Sequence, residues 1–293
     1  HMGWISHGWG EVDDAESVRL VKSCGDAGIN FIDTAAGYGA GHSEEVVGRA
    51  VKGERDRWVI ETKGGEGWTA DNRNWKDFSR ARLLAQIDES LTRLDTDHVD
   101  VYLLHGPSDE DIEKGECLQA LKDIKSAGKS RLVGISLGPA AMGLGLIDIG
   151  LIDVYQVSIS ITDTGMADAL LPAAAEAGIG IVARGAMGAG FYTGRVSEAT
   201  AFSENDRRST QSQDSMKSRA AVASAFAFLE KPARSTAQSC IKFVLAHPEV
   251  STVIPGSKDV THMLENAAAS EAPDLTEDEL TEIARIREGL KGS

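Results

Sequence analysis

Short apolar runs with little internal alternation recur between amphipathic stretches of helical period along this chain, and that alternation constrains it to parallel βα units. The runs at 31–33, 58–62, 99–104, 132–136, 154–158, 179–183 and 252–254 are rich in Val, Ile and Leu. Strands covered on both faces read this way. Helical spacing at 14–27, 43–51, 78–94, 117–127, 140–149, 167–177, 236–247 and 260–269 predicts helices between and after them. Gly28 and Gly128 stand where the first and fourth helices should stop, and Ser235 stands as an N-cap before residue 236. A last stretch, 276–290, carries Leu280, Ile283, Ile286 and Leu290 at three- and four-residue spacing, which predicts an extra helix packed on the outside.

This order points to an α/β fold, a (β/α)8 TIM barrel with an extra C-terminal helix. The strand that should come first has to lie in residues 3–10, where only Trp4-Ile5 stands in a mixture of Gly, His and Trp. That strand is expected to be incomplete or irregular. A chain of 293 residues suits one such barrel domain over 3–293, with His1-Met2 read as the remnant of a cleaved tag. Residues 190–213 are polar, lack periodicity and follow a strand, so they read as a lid over a bound ligand.

Charge and cysteines narrow the function. Thirty Lys and Arg stand against 45 Asp and Glu, a formal net charge of −15. That balance repels phosphate backbones and anionic membrane surfaces, so neither nucleic acid nor membrane is an expected partner. No apolar run is long enough to span a bilayer and no charged leader precedes one, which reads as a soluble cytoplasmic protein. Cys24, Cys117 and Cys240 lie far apart with no CxxC pair, so neither disulfides nor a metal site are expected.

Asp33, Tyr38, Lys63 and His105 sit at or just past the ends of three of the apolar runs. A parallel barrel gathers the carboxyl ends of its strands at one face, so these four can meet in one pocket. Taken singly, each has a blander reading: a turn-capping Asp, a surface Tyr, a solvated Lys and His at the rim. Together they can move a proton near neutral pH, which points to an enzyme.

The run Gly28-Ile29-Asn30-Phe31-Ile32-Asp33-Thr34-Ala35-Ala36-Gly37-Tyr38-Gly39, with Ser43-Glu44 after it, resembles the signature of the aldo-keto reductase superfamily. Further matches follow in order: Glu61-Thr62-Lys63, Ser90-Leu91-Thr92-Arg93-Leu94, Asp100, Leu103-Leu104-His105, Gly128-Lys129 and Gly134-Ile135-Ser136. Residues 153–156 and 190–194 continue the series, and Val253-Ile254-Pro255-Gly256 with Glu265-Asn266 completes it. The resemblance covers residues 3–290. It implies a (β/α)8 barrel that binds NADP(H) in extended form at the strand carboxyl ends, and the chain carries no GxGxxG after a strand. The implied activity is NADPH-dependent reduction of an aldehyde or ketone to an alcohol, or the reverse.

In that reading Tyr38 is the general acid. Its ordinary pKa of about 10 is brought down by the Lys63 ammonium. Asp33 keeps Lys63 protonated and aimed, and His105 orients the carbonyl. The resemblance places Ser136 and Gln156 on the nicotinamide carboxamide, with Leu137 where the family has Asn and Ser160 where Asn is frequent. Arg184 replaces the aromatic that stacks on the nicotinamide in many members, and Gly185, Ala186, Gly188 and Gly190 line the cofactor beyond it. Ser257 and Lys258 fall at the 2′-phosphate position and Glu265 and Asn266 near the adenine, favouring NADP(H) over NAD(H). His262 stands where Arg or Gln is frequent.

Trp68 and Trp75, with Trp4 and Trp9, are candidate walls of the substrate pocket. The substrate reads as a small carbonyl compound or alcohol, with sugars among the candidates; oligomeric state is not set. Two other readings stay open. One is a non-catalytic or regulatory NADP(H)-binding module, which Leu137 and the weak first strand favour. The other is a non-redox acid/base step on a keto sugar, using Tyr38 and Lys63.

Overall fold

The computed structural model of the chain describes residues 12–291, apart from residues 70, 72, 198 and 205. The expected first strand, with Trp4 and Trp9, lies outside the described residues. The chain begins α1 Asp14–Asp26, β1 Phe31–Asp33, α2 His42–Val51, β2 Val59–Gly64, β3 Glu66–Trp68, β4 Asn74–Lys76 and α3 Arg80–Leu94. It continues with β5 Val99–His105, α4 Asp109–Lys114, α5 Glu116–Ser126, β6 Ser130–Ser136, α6 Ala140–Leu146, β7 Val154–Ser158 and α7 Gly165–Glu176. It ends with β8 Gly180–Arg184, α8 Gln213–Ala225, α9 Thr236–Leu245, β9 Val250–Val253, α10 Val260–Ala267 and α11 Glu277–Lys291.

Seven strands run parallel in the order β1-β2-β5-β6-β7-β8-β9, and β3 and β4 pair apart as an antiparallel hairpin. The seven parallel strands are those the apolar runs predict, with no end displaced by more than two residues. Each is followed by at least one helix, the repeat of a TIM barrel. Among the described residues no helix is long and apolar enough to cross a membrane.

Three elements gave no periodic signal, each for a physical reason. The hairpin strands are three residues each, shorter than any period can show. Helix α4 has six residues and rests on a capping box in which Ser108 and Asp111 bond each other's backbone N–H. Helix α8 buries only Met216 among its described side chains, so its apolar face is too thin to register. The polar segment before it is not structureless. Phe202 stands edge-on to Phe191 at 6.5 Å, Arg208 lies 4.1 Å over the Phe202 ring, and Arg208 donates to Asp206 at 2.6 Å.

Side chains divide between two cores. The larger one fills the space between sheet and helices, from Val47, Ile60, Leu83 and Tyr102 to Tyr155, Ile181 and Ile283. The expected C-terminal helix is α11; Ile283 is fully buried, and Leu280 and Ile286 pack beside it. The smaller core is Val101, Leu103, Val154 and Val182 with Phe31 and Ile254, the inner face of the curled sheet.

Register stacks that inner face in rows. Lys63 is level with Leu103, Leu103 with Gly134, and Gly134 with Val154. One row toward the strand ends, His105 is level with Ser136, Ser136 with Gln156, and Gln156 with Val182. Gly134 is small by necessity, since a Cβ there would come 1.9 Å from the Val154 carbonyl oxygen. That oxygen belongs to backbone and cannot swing aside. Gly134→Ala is expected to destabilise the protein by about 2–3 kcal/mol, read as a lowered midpoint in urea unfolding with an unchanged slope.

Candidate active site

Alternation along a strand sends residues two apart to the same face, so Glu61 and Lys63 on β2 both enter the interior. Asp33 on β1, Ser136 on β6 and Gln156 on β7 meet them there. Lys63 Nζ is fully buried and donates to Asp33 Oδ1 and to the Thr34 carbonyl at 2.9 Å. Gln156 Nε2 donates to Asp33 Oδ1 at 3.0 Å and to Glu61 Oε1 at 2.5 Å, while its Oε1 accepts from Ser136 Oγ at 3.0 Å. One amide thus ties β1, β2, β6 and β7 together at the level where the apolar core gives out.

Tyr38 enters from the turn after β1. Thr34 N and Ala36 N donate to the Glu61 and Lys63 carbonyls at 2.9 and 3.1 Å, carrying the β1–β2 pairing beyond the strand. The chain then turns through Gly39, Ala40 and Gly41, all at positive φ. Gly41, at φ 96°, also lies where a Cβ would press to 2.7 Å from Arg93. The following helix is locked down by Glu44, whose fully buried carboxylate accepts from Thr62 Oγ1 at 2.5 Å and Arg93 Nε at 2.7 Å. Thr34 Oγ1 donates to Ser43 Oγ at 2.9 Å beside it.

The phenol oxygen of Tyr38 lies 3.5 Å from Lys63 Nζ, and the Tyr38 ring stands edge-on to His105 at 5.6 Å. Asp33, Tyr38, Lys63 and His105 are therefore one cluster. His105 Nδ1 is 2.7 Å from Glu66 Oε1 on β3, and the carboxylate lies off the N–H line, a close polar contact rather than a straight hydrogen bond.

Charge states follow from burial and neighbours. Burial works to discharge Lys63, but the Asp33 charge, with Tyr38 and Glu61, outweighs it and holds the ammonium above its ordinary pKa. Burial pushes the Asp33 carboxyl up, and the Lys63 charge with hydrogen bonds from Glu61, Lys63 and Gln156 more than reverses that. Burial lowers the His105 pKa despite Glu66, so the imidazole is neutral at pH 7. For Tyr38 the outcome differs from the sequence expectation. Burial raises the phenol pKa, Lys63 opposes it, and Asp33 and Glu66 add to the rise, leaving it above its ordinary value. The ammonium restrains the phenol without overcoming its desolvation.

Of the expected cofactor residues, Ser136 ends β6 and Arg184 ends β8. Arg184, exposed at the end of β8, reaches the Leu137 carbonyl at 3.4 Å. Leu137 is buried, and its side chain lies where a Cβ on Gly143 would meet it, so it packs into the helix layer. Ser160 is buried and its Oγ lies 3.0 Å from Thr162 Oγ1. Gly185, Gly188 and Gly190 all take positive φ in the turn after β8, where Ala186 is buried. Ser257 and Lys258 precede α10, whose N-cap is Asp259, and Lys258 is exposed. Asn266 Oδ1 is buried with no hydrogen-bond partner among the described residues.

On the hairpin, Trp68 shares a face with Glu66, whereas Trp75 lies on the other face, over Gly67 and against Arg82 at 5.0 Å. Trp75 therefore packs toward α3 rather than toward Tyr38.

Sequence reasoning missed Glu61, Glu66, Arg195 and Arg208. Glu61 was within reach of it, because a residue two before an inward Lys on one strand must share its face. Glu66 was not, since its place depends on a hairpin that leaves no periodic trace. Arg195 reveals itself only by its ion pair with Glu265, which also accepts from Ser235 Oγ at 2.5 Å. Arg208 shows through its contacts with Phe202, Asp206 and the Ala189 carbonyl.

The fold and this cluster define a parallel α/β barrel with a buried group of ionisable side chains at the carboxyl ends of its strands. A sequence model described as the Aldo/keto reductase family matches residues 2–288, and the chain belongs to that family of oxidoreductases.

Among its relatives, the aldo-keto reductase YhdN of Bacillus subtilis is 32% identical over 68% of this chain, a match spanning 60% of YhdN. The oxidoreductase YqkF of the same organism is 30% identical over 90% of this chain and 85% of its own length. Among solved structures, a glycerol dehydrogenase from Gluconobacter oxydans superposes with a TM-score of 0.82 at 27% identity, over 97% of this chain and 88% of its own. An aldo-keto reductase from Klebsiella pneumoniae in complex with NADPH gives a TM-score of 0.74 at 25% identity, over 98% and 90%.

Proposed function

We propose that this protein reduces an aldehyde or ketone to an alcohol with NADPH, or runs the reverse reaction, with Tyr38 as general acid and base. The observation that carries this is the meeting of the Tyr38 hydroxyl with a buried, charged Lys63 and a neutral His105 at one mouth of the sheet. The cofactor is NADP(H), as in the Klebsiella relative. When bound it supplies or accepts the hydride at the carbonyl carbon.

The protein then has to place the carbonyl and manage one proton. In reduction Tyr38 gives its phenolic proton to the carbonyl oxygen, and Lys63 stabilises the phenolate left behind. Asp33 fixes the ammonium in position. His105, neutral, offers a hydrogen bond that orients the carbonyl oxygen, and its contact with Glu66 holds the ring.

The residues at the cofactor face fit an extended dinucleotide. Arg184 is exposed and can meet the nicotinamide end, with the turn of Gly185, Ala186, Gly188 and Gly190 beside it. Ser257 and Lys258 suit the 2′-phosphate, and the partnerless Asn266 Oδ1 suits an adenine amine. Glu265 stands beside it through its tie to Arg195. Ser136 and Gln156 are bonded to each other, so gripping the carboxamide means sharing those hydrogen bonds. Lys258→Ala is expected to raise the NADPH dissociation constant about tenfold and to leave NADH binding nearly unchanged, read by quenching of protein fluorescence.

A polyhydroxylated substrate is the favoured class. Glu66 and Trp68 share the hairpin face beside His105 and offer a hydroxyl acceptor and an apolar wall. An Arabidopsis thaliana relative, 29% identical over 97% of this chain, is an L-galactose dehydrogenase. The test is a panel of aldoses, polyols and simple aldehydes followed by NADPH absorbance. Tight NADPH binding with no turnover across the panel would favour a regulatory module, and turnover without cofactor a non-redox step.

A further inference from the structure

The interior of the sheet holds one carboxyl more than its cation can balance. Asp33 and Glu61 both receive the Gln156 amide, and Lys63 is the single ammonium among them. Glu61 is fully buried, and its Oε2 has no hydrogen-bond partner among the described residues. An ionised oxygen in that position would be desolvated with no donor to compensate it. A hydroxyl there needs an acceptor instead, and the Asp33 carboxylate is its neighbour across the shared Gln156 amide.

Among the described residues, the groups that face Glu61 come from several strands. Asp33 comes from β1, Lys63 from its own strand and the uncharged Gln156 from β7, while β5 contributes the apolar Val101 and Leu103. Burial and the Asp33 charge both favour the protonated form, against a weaker pull from Lys63.

The geometry points to Glu61 as a positioning residue that works as a neutral acid, donating its O–H to Asp33 and keeping the buried cluster at one cation and one anion. The consequence reaches Tyr38 through Lys63. With Glu61 neutral, the ammonium's field at the phenol is offset by Asp33 and, more weakly, Glu66; an ionised Glu61 would add a further offset and weaken Tyr38 as an acid. The kinetic consequence rests on the role proposed for Tyr38, whereas the protonation state does not.

The test has two arms. Infrared difference spectra of wild type against Glu61→Gln, recorded at pH 7 without cofactor, should show the carbonyl stretch of a protonated carboxylic acid that vanishes in the variant. Its absence, with only carboxylate bands lost, overturns the assignment whatever reaction the enzyme catalyses. In turnover, Glu61→Gln should stay within about threefold of wild type, because the amide keeps a donor for Asp33, while Glu61→Leu should lose roughly tenfold in kcat with KM unchanged. Equal losses in Glu61→Gln and Glu61→Leu, or no loss in either, would overturn the link to Tyr38. Should Glu61→Leu not fold, Glu61→Gln carries both arms: a loss beyond tenfold in it overturns the link.

Discussion

Tyr38→Phe is expected to bind NADPH within about twofold of wild type and to lose roughly 10²–10⁴ in kcat. The substitution removes one oxygen from a half-buried ring and leaves the edge-on contact with His105 intact, so shape and cofactor face are preserved. What is lost is the proton that the carbonyl oxygen must receive. Because burial raises the phenol pKa, Tyr38 is protonated and uncharged at pH 7, and carbonyl reduction by the wild type should keep its proton donor up to alkaline pH. Stopped-flow absorbance of NADPH separates binding from turnover. A variant that turns over at the wild-type rate would remove Tyr38 from the mechanism.

Lys63→Met should act on two levels. Turnover falls by at least as much as in Tyr38→Phe, because the phenolate loses its stabilising charge. Stability falls as well, by about 3–5 kcal/mol, because Asp33 is left buried with no cation. The pH dependence has a definite sign. In the wild type the Asp33 carboxyl is held below its ordinary pKa, so its stabilising contribution is full above the unfolded-state pKa and fades as pH falls through the folded one. Without Lys63 burial dominates and the Asp33 pKa rises, so the variant gains from taking up a proton. The deficit against wild type, read from urea midpoints, should therefore shrink from pH 7 to pH 5. A deficit that grows over that interval would show that Lys63 does not balance Asp33.

Much of the fold was legible because βα units write themselves in two periods. The apolar run at 99–104 became β5 almost unchanged, since a strand buried on both faces can hold little else. The same logic failed for the β3–β4 hairpin and α8, whose stability comes from contacts such as Trp75 on Arg82 rather than from their own pattern. At the site, Asp33, Tyr38, Lys63 and His105 were visible at strand ends and in the family's order, and the structure brings all four together. The expectation of a lowered Tyr38 pKa did not survive, because the sequence names the ammonium but not the depth at which the phenol is buried.

By itself the sequence determined the order of the seven parallel strands and most of the helices between them, the family and the identity of the four clustered side chains. These depend on local pattern and on residue type at fixed spacing. Only the tertiary structure decided the charge balance of the interior: that Glu61 shares a buried chamber with Asp33 and Lys63, that Glu66 reaches His105 from a hairpin, and that Trp75 turns away. Those facts rest on register between strands far apart in the chain and on the loss of water around them, and no stretch of sequence contains either.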